Sequence, residues 1–205
     1  MSDARPYVIG LTGNIACGKS LVLKTLRELG AETFDADLVA HEVMRHGTPA
    51  WQAIVTRFGE GVIGQDGEIN RRALGAIVFA DPAALEALDR IVHPATVAAI
   101  RKCVGGLTGG VAVIDAIKLF EAGLNADCDE IWVVDCSREQ QIERLMSRNN
   151  LSRAAAIERI DAQPPQSEKR ARADHVIDNS GAPEDTVAAV HALWNTILAR
   201  IQPSV

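Results

Sequence analysis

Gly13-Asn14-Ile15-Ala16-Cys17-Gly18-Lys19-Ser20 fits the pattern G-x-x-x-x-G-K-[ST] at every fixed position. The pattern carries weight only between a strand and a helix, and both neighbours are present. Tyr7–Thr12 (YVIGLT) is a short apolar run. After the loop, Leu23, Leu26 and Leu29 recur at helical spacing, and Gly30 stands where a helix stops. Such a loop aims successive N–H groups and the positive end of a helix dipole at one anion. Gly13 and Gly18 allow close backbone approach, Lys19 neutralises the terminal phosphates, and the Ser20 hydroxyl is the expected Mg2+ ligand. The implied ligand is a nucleoside triphosphate. The bland alternative is a Gly-rich turn that happens to precede a helix.

The rest of the chain repeats the strand-then-helix alternation. Ala31–Asp35, Val111–Asp115, Glu130–Asp135 and His175–Asp178 are short Val/Ile-rich runs, the composition of strands buried on both faces. They predict a five-stranded parallel sheet between two helical layers, a doubly wound α/β core. A closing helix is expected from about Pro183 to Ile201. Two excursions interrupt the core. Residues 38 to about 108 hold no good strand and at least three helical stretches, with Pro94 expected to bend or break the last. Residues 137–172 suggest two short helices, the second capped by Ser152 and stopped by Pro164-Pro165. The core is then 1–37, 109–136 and 173–205.

Formal net charge is -6, so no global basic field draws the chain to nucleic acid or to an anionic membrane. No run is apolar for long enough to span a bilayer, and no signal-peptide core precedes the first strand. Cys17, Cys103, Cys128 and Cys136 form no CxxC pair, which argues against zinc and for a reducing, cytoplasmic setting. No NKxD or DxxG signature marks a switch GTPase, and a small-molecule kinase fits the 205 residues.

A kinase also needs a carboxylate to orient the accepting hydroxyl and take its proton. Asp35-Ala36-Asp37 ends the second strand, and residues two apart on a strand share a face, so both carboxylates could point into the cleft. Asp37 is the candidate base; alternatively it caps the helix beginning near Leu38.

Gly10-Leu11-Thr12-Gly13, Leu29-Gly30-Ala31, Asp35-Ala36-Asp37, Phe58-Gly59, Asp66-Gly67 through Asn70-Arg71, Val78-Phe79, His93-Pro94 and Ala173 through Asn179 occur in an order and spacing that resembles the dephospho-coenzyme A kinase family. The resemblance covers nearly the whole chain. It implies a P-loop NTP hydrolase-like three-layer fold, a helical lobe (38–108) that holds the acceptor, and a lid (137–172) over ATP. It implies transfer of the γ-phosphoryl group of ATP, with Mg2+, to the 3′-hydroxyl of dephospho-coenzyme A. Asp37 would be the base, and Arg71 and His93 acceptor contacts; alternatively His93 is a helix-kink residue making one local hydrogen bond and Arg71-Arg72 a solvated helix face. Arg144 and Arg148, four apart on one helix face, would clamp the phosphoryl group; otherwise they are wet arginines on an amphipathic helix. Gly13, Ala16, Cys17, Gly18, Lys19, Ser20 and Leu21 would line the nucleotide, with Asn179 near its adenine. Oligomeric state is not legible.

The loop departs from the family's usual GGIGSGKST. Asn14 and Ala16 replace glycines, so an unstrained loop requires a negative φ at Ala16. Leu21 replaces a threonine, leaving only its N–H for phosphate; the lost hydrogen bond is worth about 1.5–3 kcal/mol. Beyond the third strand, Lys118 could contact a phosphate or lie in solvent, and Asp115 could hold Mg2+ through water or cap a turn. Cys17, near a helix N-terminus, could have a lowered thiol pKa and be redox-sensitive, or be an inert small side chain. Two alternatives remain: another small-molecule or nucleoside monophosphate kinase, and a nucleotide-binding module without transfer.

Overall fold

A computed structural model describes residues 5–201. Five strands, β1 (Tyr7–Thr12), β2 (Glu32–Asp35), β3 (Val111–Asp115), β4 (Glu130–Asp135) and β5 (His175–Asp178), form one sheet in the order β2-β3-β1-β4-β5. The pairings of β1 with β3, β1 with β4 and β4 with β5 are all parallel. β1 is therefore central, and its carboxyl end delivers the loop at 13–18 to the middle of the sheet's edge, where ligands bind in open α/β folds.

Burial on both faces explains why β1, β3 and β4 are Val/Ile-rich, but not β2 and β5, which lie at the sheet's edges and are largely half-buried or exposed. Ile9, Leu11, Val113, Trp132, Val134 and Ile177 pack against Val22 and Leu26 of α1 (Lys19–Glu28) and Val190, Trp194 and Ile197 of α9 (Pro183–Ile201). Each fully buried residue of this kind contributes about 1.5–3 kcal/mol. Charge closes the lower edge of the sheet: buried Glu130 accepts from Trp132 Nε1 at 3.1 Å and pairs with Arg200 of α9.

Contacts divide the chain into two compact units. One ends at Phe34 and resumes at Leu107; the other is Asp35–Gly106. The second unit holds four helices, α2 (Ala36–Val43), α3 (Pro49–Phe58), α4 (Arg71–Ala80) and α5 (Pro82–Gly105), around Ile54, Val62, Leu74, Val78, Ala84 and Val92. Each helix has a side-chain N-cap, from Asp35, Thr48, Asn70 and Asp81 respectively. Pro94 does not break α5, which runs through it for 24 residues. Val92, Thr96, Val97 and Ile100 are buried on either side of the proline, and this packing carries the helix across the missing N–H.

In the first unit, residues 137–172 form three helices rather than two: α6 (Arg138–Asn149), α7 (Arg153–Asp161) and α8 (Gln166–Arg170). Ser137 and Gln140 make a capping box on α6, and Ser152 caps α7 as its sequence suggested. Ile142, Leu145, Ala156 and Ile160 form a small core of their own, and Ile15 and Ala16 of the loop pack against it.

Candidate active site

Both glycines of the loop are fixed by close approach. A Cβ on Gly13 would stand 2.5 Å from the Val134 carbonyl oxygen, and one on Gly18, at φ 91°, would stand 2.0 Å from Asn179 Nδ2. Ala16 contradicts the sequence expectation. Its φ is 62°, in the left-handed region, so the loop keeps the glycine-like backbone without the glycine. Packing of Ile15 and Ala16 against the α6–α7 core supplies the compensating contacts.

Within the loop, Cys17 N–H donates to Asn14 O at 3.2 Å, and Leu21 N–H to Gly18 O at 3.1 Å. Leu21 is thus not an open phosphate donor; its amide closes the first turn of α1. Among the described residues no acceptor takes the N–H of Ala16, Gly18, Lys19 or Ser20. These four donors, at the N-terminus of α1, form an anion cradle. Lys19 Nζ lies 3.4 Å from Gly13 O and 3.9 Å from Asp115 Oδ1, which holds the ammonium at the mouth of the loop. Ser20 is exposed one residue into α1. Its hydroxyl and the Asp115 carboxylate are hard oxygen donors of the kind Mg2+ takes beside phosphate. Among the described residues, no group of three or more His, Cys, Asp or Glu side chains could hold a metal without the nucleotide.

The loop's outer wall comes from residues 137–179. Gln163 Oε1 accepts from Ile15 N at 2.8 Å and Gln166 Oε1 from Asn14 N at 3.0 Å, while Asn14 Nδ2 donates to Pro164 O at 2.9 Å. Gln166 Nε2 also donates to Val134 O at 2.8 Å. From α6, Gln141 Nε2 donates to Ile15 O and Arg144 to Cys17 O at 3.4 Å and Asn179 O at 2.8 Å. Asn179, expected beside adenine, is buried and committed to the loop: Nδ2 donates to Cys17 O at 2.8 Å and Oδ1 accepts from Thr186. Arg144 is half-buried here, whereas Arg148, one turn on, is exposed and bonds Asn149. The three glutamines were not singled out by sequence. Gln163 and Gln166 lie in a short polar stretch ahead of the last strand, and Gln141 on α6.

Cys17 is fully buried, with Gln141 Nε2 3.1 Å from its sulfur. The hydrogen bond with Cys136 and burial push its thiol well above the usual range, which fits an inert small side chain rather than a lowered, redox-sensitive thiol. At the carboxyl end of β3, Lys118 is exposed. A different lysine, Lys169 of α8, is buried there, its Nζ donating to Ile117 O at 2.8 Å. Burial lowers its pKa.

In the second unit the two aspartates have separate tasks. The strand ends at Asp35, whose Oδ1 caps α2 by accepting from Asp37 N at 2.9 Å and Leu38 N at 3.0 Å. Asp37 lies in the first turn of that helix, exposed. The shared strand face expected for the pair therefore does not exist, and the capping role belongs to Asp35. Arg71 opens α4 and is exposed; His93 Nε2 lies 3.3 Å from Asp89 Oδ1 within α5.

Comparison with known proteins gives a consistent picture. Residues 7–185 match the family model described as dephospho-CoA kinase. A dephospho-CoA kinase of Geobacter sulfurreducens is 46% identical over 190 residues, spanning 91% of this chain and 96% of the relative. The structure of a dephospho-CoA kinase from Campylobacter jejuni superposes with a TM-score of 0.67 at 26% identity, covering 93% of this chain and 96% of that one. A Thermus thermophilus crystal structure reaches a TM-score of 0.81 at 34% identity, covering 95% and 99%. A shikimate kinase from Bacteroides thetaiotaomicron, at 11% identity and a TM-score of 0.51 over 93% of this chain and 98% of that one, shares the fold.

Proposed function

The chain belongs to the dephospho-CoA kinase family, and on that premise we propose that it moves the γ-phosphoryl group of ATP to the 3′-hydroxyl of dephospho-CoA. The observation that carries this reading is the cradle of open amides at Ala16, Gly18, Lys19 and Ser20, with the Lys19 ammonium at its mouth. An anion with several oxygens satisfies all of these donors at once.

Asp37 is the proposed base. Its neighbour Asp35 is spent on the helix cap, while the Asp37 carboxylate is exposed and can orient a hydroxyl and receive its proton. Arg71 and His93 would contact the acceptor, and Arg148 is the arginine of α6 available to the phosphates. Arg144 and Asn179 act through the loop, since both hold the Cys17 carbonyl. Mg2+, when bound, would neutralise phosphate charge, with Ser20 and Asp115 as its protein oxygens. The residues 137–172 would serve as the lid. The setting proposed is the cytoplasm, which suits four cysteines that are all free thiols.

The test is to mix the protein with Mg-ATP and dephospho-CoA and follow coenzyme A by mass, then to repeat it with Asp37→Asn. Loss of a positioned base costs roughly 10²–10⁴-fold in rate. Turnover in Asp37→Asn equal to wild type would remove Asp37 from this role, and absence of coenzyme A from the wild type would sink the reading.

A further inference from the structure

Lys169 is only 3% exposed, although it sits on a five-residue helix whose neighbours Ser167, Glu168 and Arg170 all face solvent. Lysine on such a helix ordinarily extends its ammonium to water along its own stem. Here the side chain turns inward, and Nζ donates to Ile117 O at 2.8 Å. Among the described residues no carboxylate lies within ion-pair distance of it. A buried ammonium with one neutral acceptor for its three donors is costly, and the structure retains it.

Its location accounts for the cost. Ile117 O also accepts from Thr12 Oγ1 at 3.2 Å, and Thr12 is the residue before the loop. Two residues earlier on the same stretch, Asp115 holds the Lys19 ammonium at 3.9 Å. Two lysines are thus anchored to one segment, 115–117, at the carboxyl end of the central strands. Lys169 is also held in place from its own side. Gln163 and Gln166, on the same short segment, are bonded to Ile15, Asn14 and Val134, so the segment that carries this cation is tied to the loop. A charge fixed in advance, away from water, is the kind that stabilises a transition state most.

We propose that Lys169 is a catalytic residue: a second cation, beside Lys19, that contacts the transferring phosphoryl group and offsets the charge developing on it. The proposal rests on the phosphoryl-transfer reading above. As the new bond forms between the 3′-oxygen and phosphorus, the bond from phosphorus to the bridging oxygen of ADP breaks, and the hydroxyl proton passes to Asp37. Lys169 supplies no atom to the product; it lowers the energy of the anionic oxygens while both bonds are partial.

The experiment uses full-length wild type, Lys169→Gln, which keeps a donor for Ile117 O while removing the charge, and Lys169→Met. Coenzyme A formation, the dissociation constant of ATP and that of ADP with aluminium fluoride are measured for each, with thermal melting to report the fold. A folded Lys169→Gln should lose about 10²–10³-fold in kcat. It should lose a similar factor in affinity for the fluoride complex, with less than about threefold change for ATP, because the contact is made in the transition state. Wild-type kcat in the folded variant would overturn the proposal, and so would an equal loss of ATP and fluoride-complex affinity. If Lys169→Gln fails to fold, Lys169→Met decides on the same readouts. Failure of both to fold would make Lys169 a structural bond to Ile117 and would also overturn it. Wild type is assayed first: no coenzyme A there defeats the underlying reading, whereas an active wild type with an equally active variant defeats Lys169 alone.

Discussion

A side chain at position 18 and the side chain of Asn179 would occupy the same space: a Cβ on Gly18 would lie 2.0 Å from Asn179 Nδ2. The same amide donates to Cys17 O at 2.8 Å, so the residue just past the last strand holds the loop in place. Gly18→Ala must therefore displace a buried amide and also hold alanine at φ 91°. Left-handed strain alone costs about 1–3 kcal/mol. Melting should fall by several degrees, at roughly 2–4 °C per kcal/mol for a chain of this size, and ATP binding should weaken strongly. An alanine variant with wild-type melting and ATP affinity would show that the amide yields freely.

Ala16 tests the loop in the opposite sense. Its φ of 62° means that glycine relieves strain there while losing one methyl contact with the α6–α7 core. Left-handed backbone costs an L-residue roughly 1–2 kcal/mol, and a buried methylene contributes about 0.8. Ala16→Gly should therefore lie within about 1 kcal/mol of wild type, whereas the β-branched Ala16→Val should be far less stable. Denaturant unfolding of the two variants measures this; a valine variant as stable as the glycine one would mean that φ at residue 16 is negative in solution.

Asp35 and Asp37 should separate stability from turnover. Asp35→Ala removes a cap that serves two N–H groups, which costs about 0.5–2 kcal/mol and should appear as a lower melting temperature. Asp37→Asn leaves that cap intact, so its melting curve should match wild type while coenzyme A formation collapses. The reverse pattern, a stable Asp35→Ala with no activity and an active Asp37→Asn, would exchange the two roles.

These residues also show what was legible in the chain. Strands β1, β3 and β4 are delimited by their apolar runs, because a strand buried on both faces leaves no polar position to blur its ends, and helix α9 by Pro183 at its start; β5, at the sheet's edge with Val176 exposed, is marked only by its short apolar run. Lys19, Ser20 and the two loop glycines follow from local chemistry. The Asp35–Asp37 geometry does not, because the period-2 rule assumes that the strand continues through Asp37, and the cap made by Asp35 ends it first. The φ of Ala16 does not follow from its neighbours because its backbone is set by packing against α6 and α7, more than 120 residues away. Gln163, Gln166 and Lys169 are hidden for the same reason: long polar side chains reveal a role only when the fold shows which carbonyls and amides they meet.

Glu130 gives an acid dependence of stability. Burial acts to raise its carboxyl, but hydrogen bonds from Trp132, Tyr7 and Arg200 outweigh this and hold it below the usual carboxylate value. A carboxylate depressed in the folded state stabilises the fold above its unfolded pKa, and the contribution is lost as pH falls through the folded one. The melting temperature should thus be steady near neutrality and decline below about pH 4.5, where free glutamate protonates. Glu130→Gln should cost about 1.5–3 kcal/mol at pH 7, the range for hydrogen bonds to a charged group, and the gap to wild type should narrow towards pH 3. A gap that stays constant with pH would show that the charge contributes nothing.

Gln163 and Gln166 should differ in which substitution they accept, because they use different atoms. Gln163 meets the loop only as an acceptor, its Oε1 taking Ile15 N–H at 2.8 Å. Gln166 accepts from Asn14 N and also donates from Nε2 to Val134 O, so it joins the loop to β4. Glutamate retains an acceptor at either position. At 166 it also removes the donor and sets a carboxylate against a carbonyl oxygen, which is repulsive and leaves Val134 O unsatisfied, at a cost of about 1–3 kcal/mol. Gln163→Glu should accordingly melt close to wild type and Gln166→Glu clearly below it. Alanine at either site should free a loop amide and weaken ATP binding by roughly tenfold for each 1.4 kcal/mol lost. The double alanine variant should lose less than the sum of the two, because both residues restrain adjacent amides of one loop. Thermal melts and ATP titrations on the five variants measure this order; equal melting of the two glutamate variants would mean that the Val134 contact contributes nothing to holding the loop.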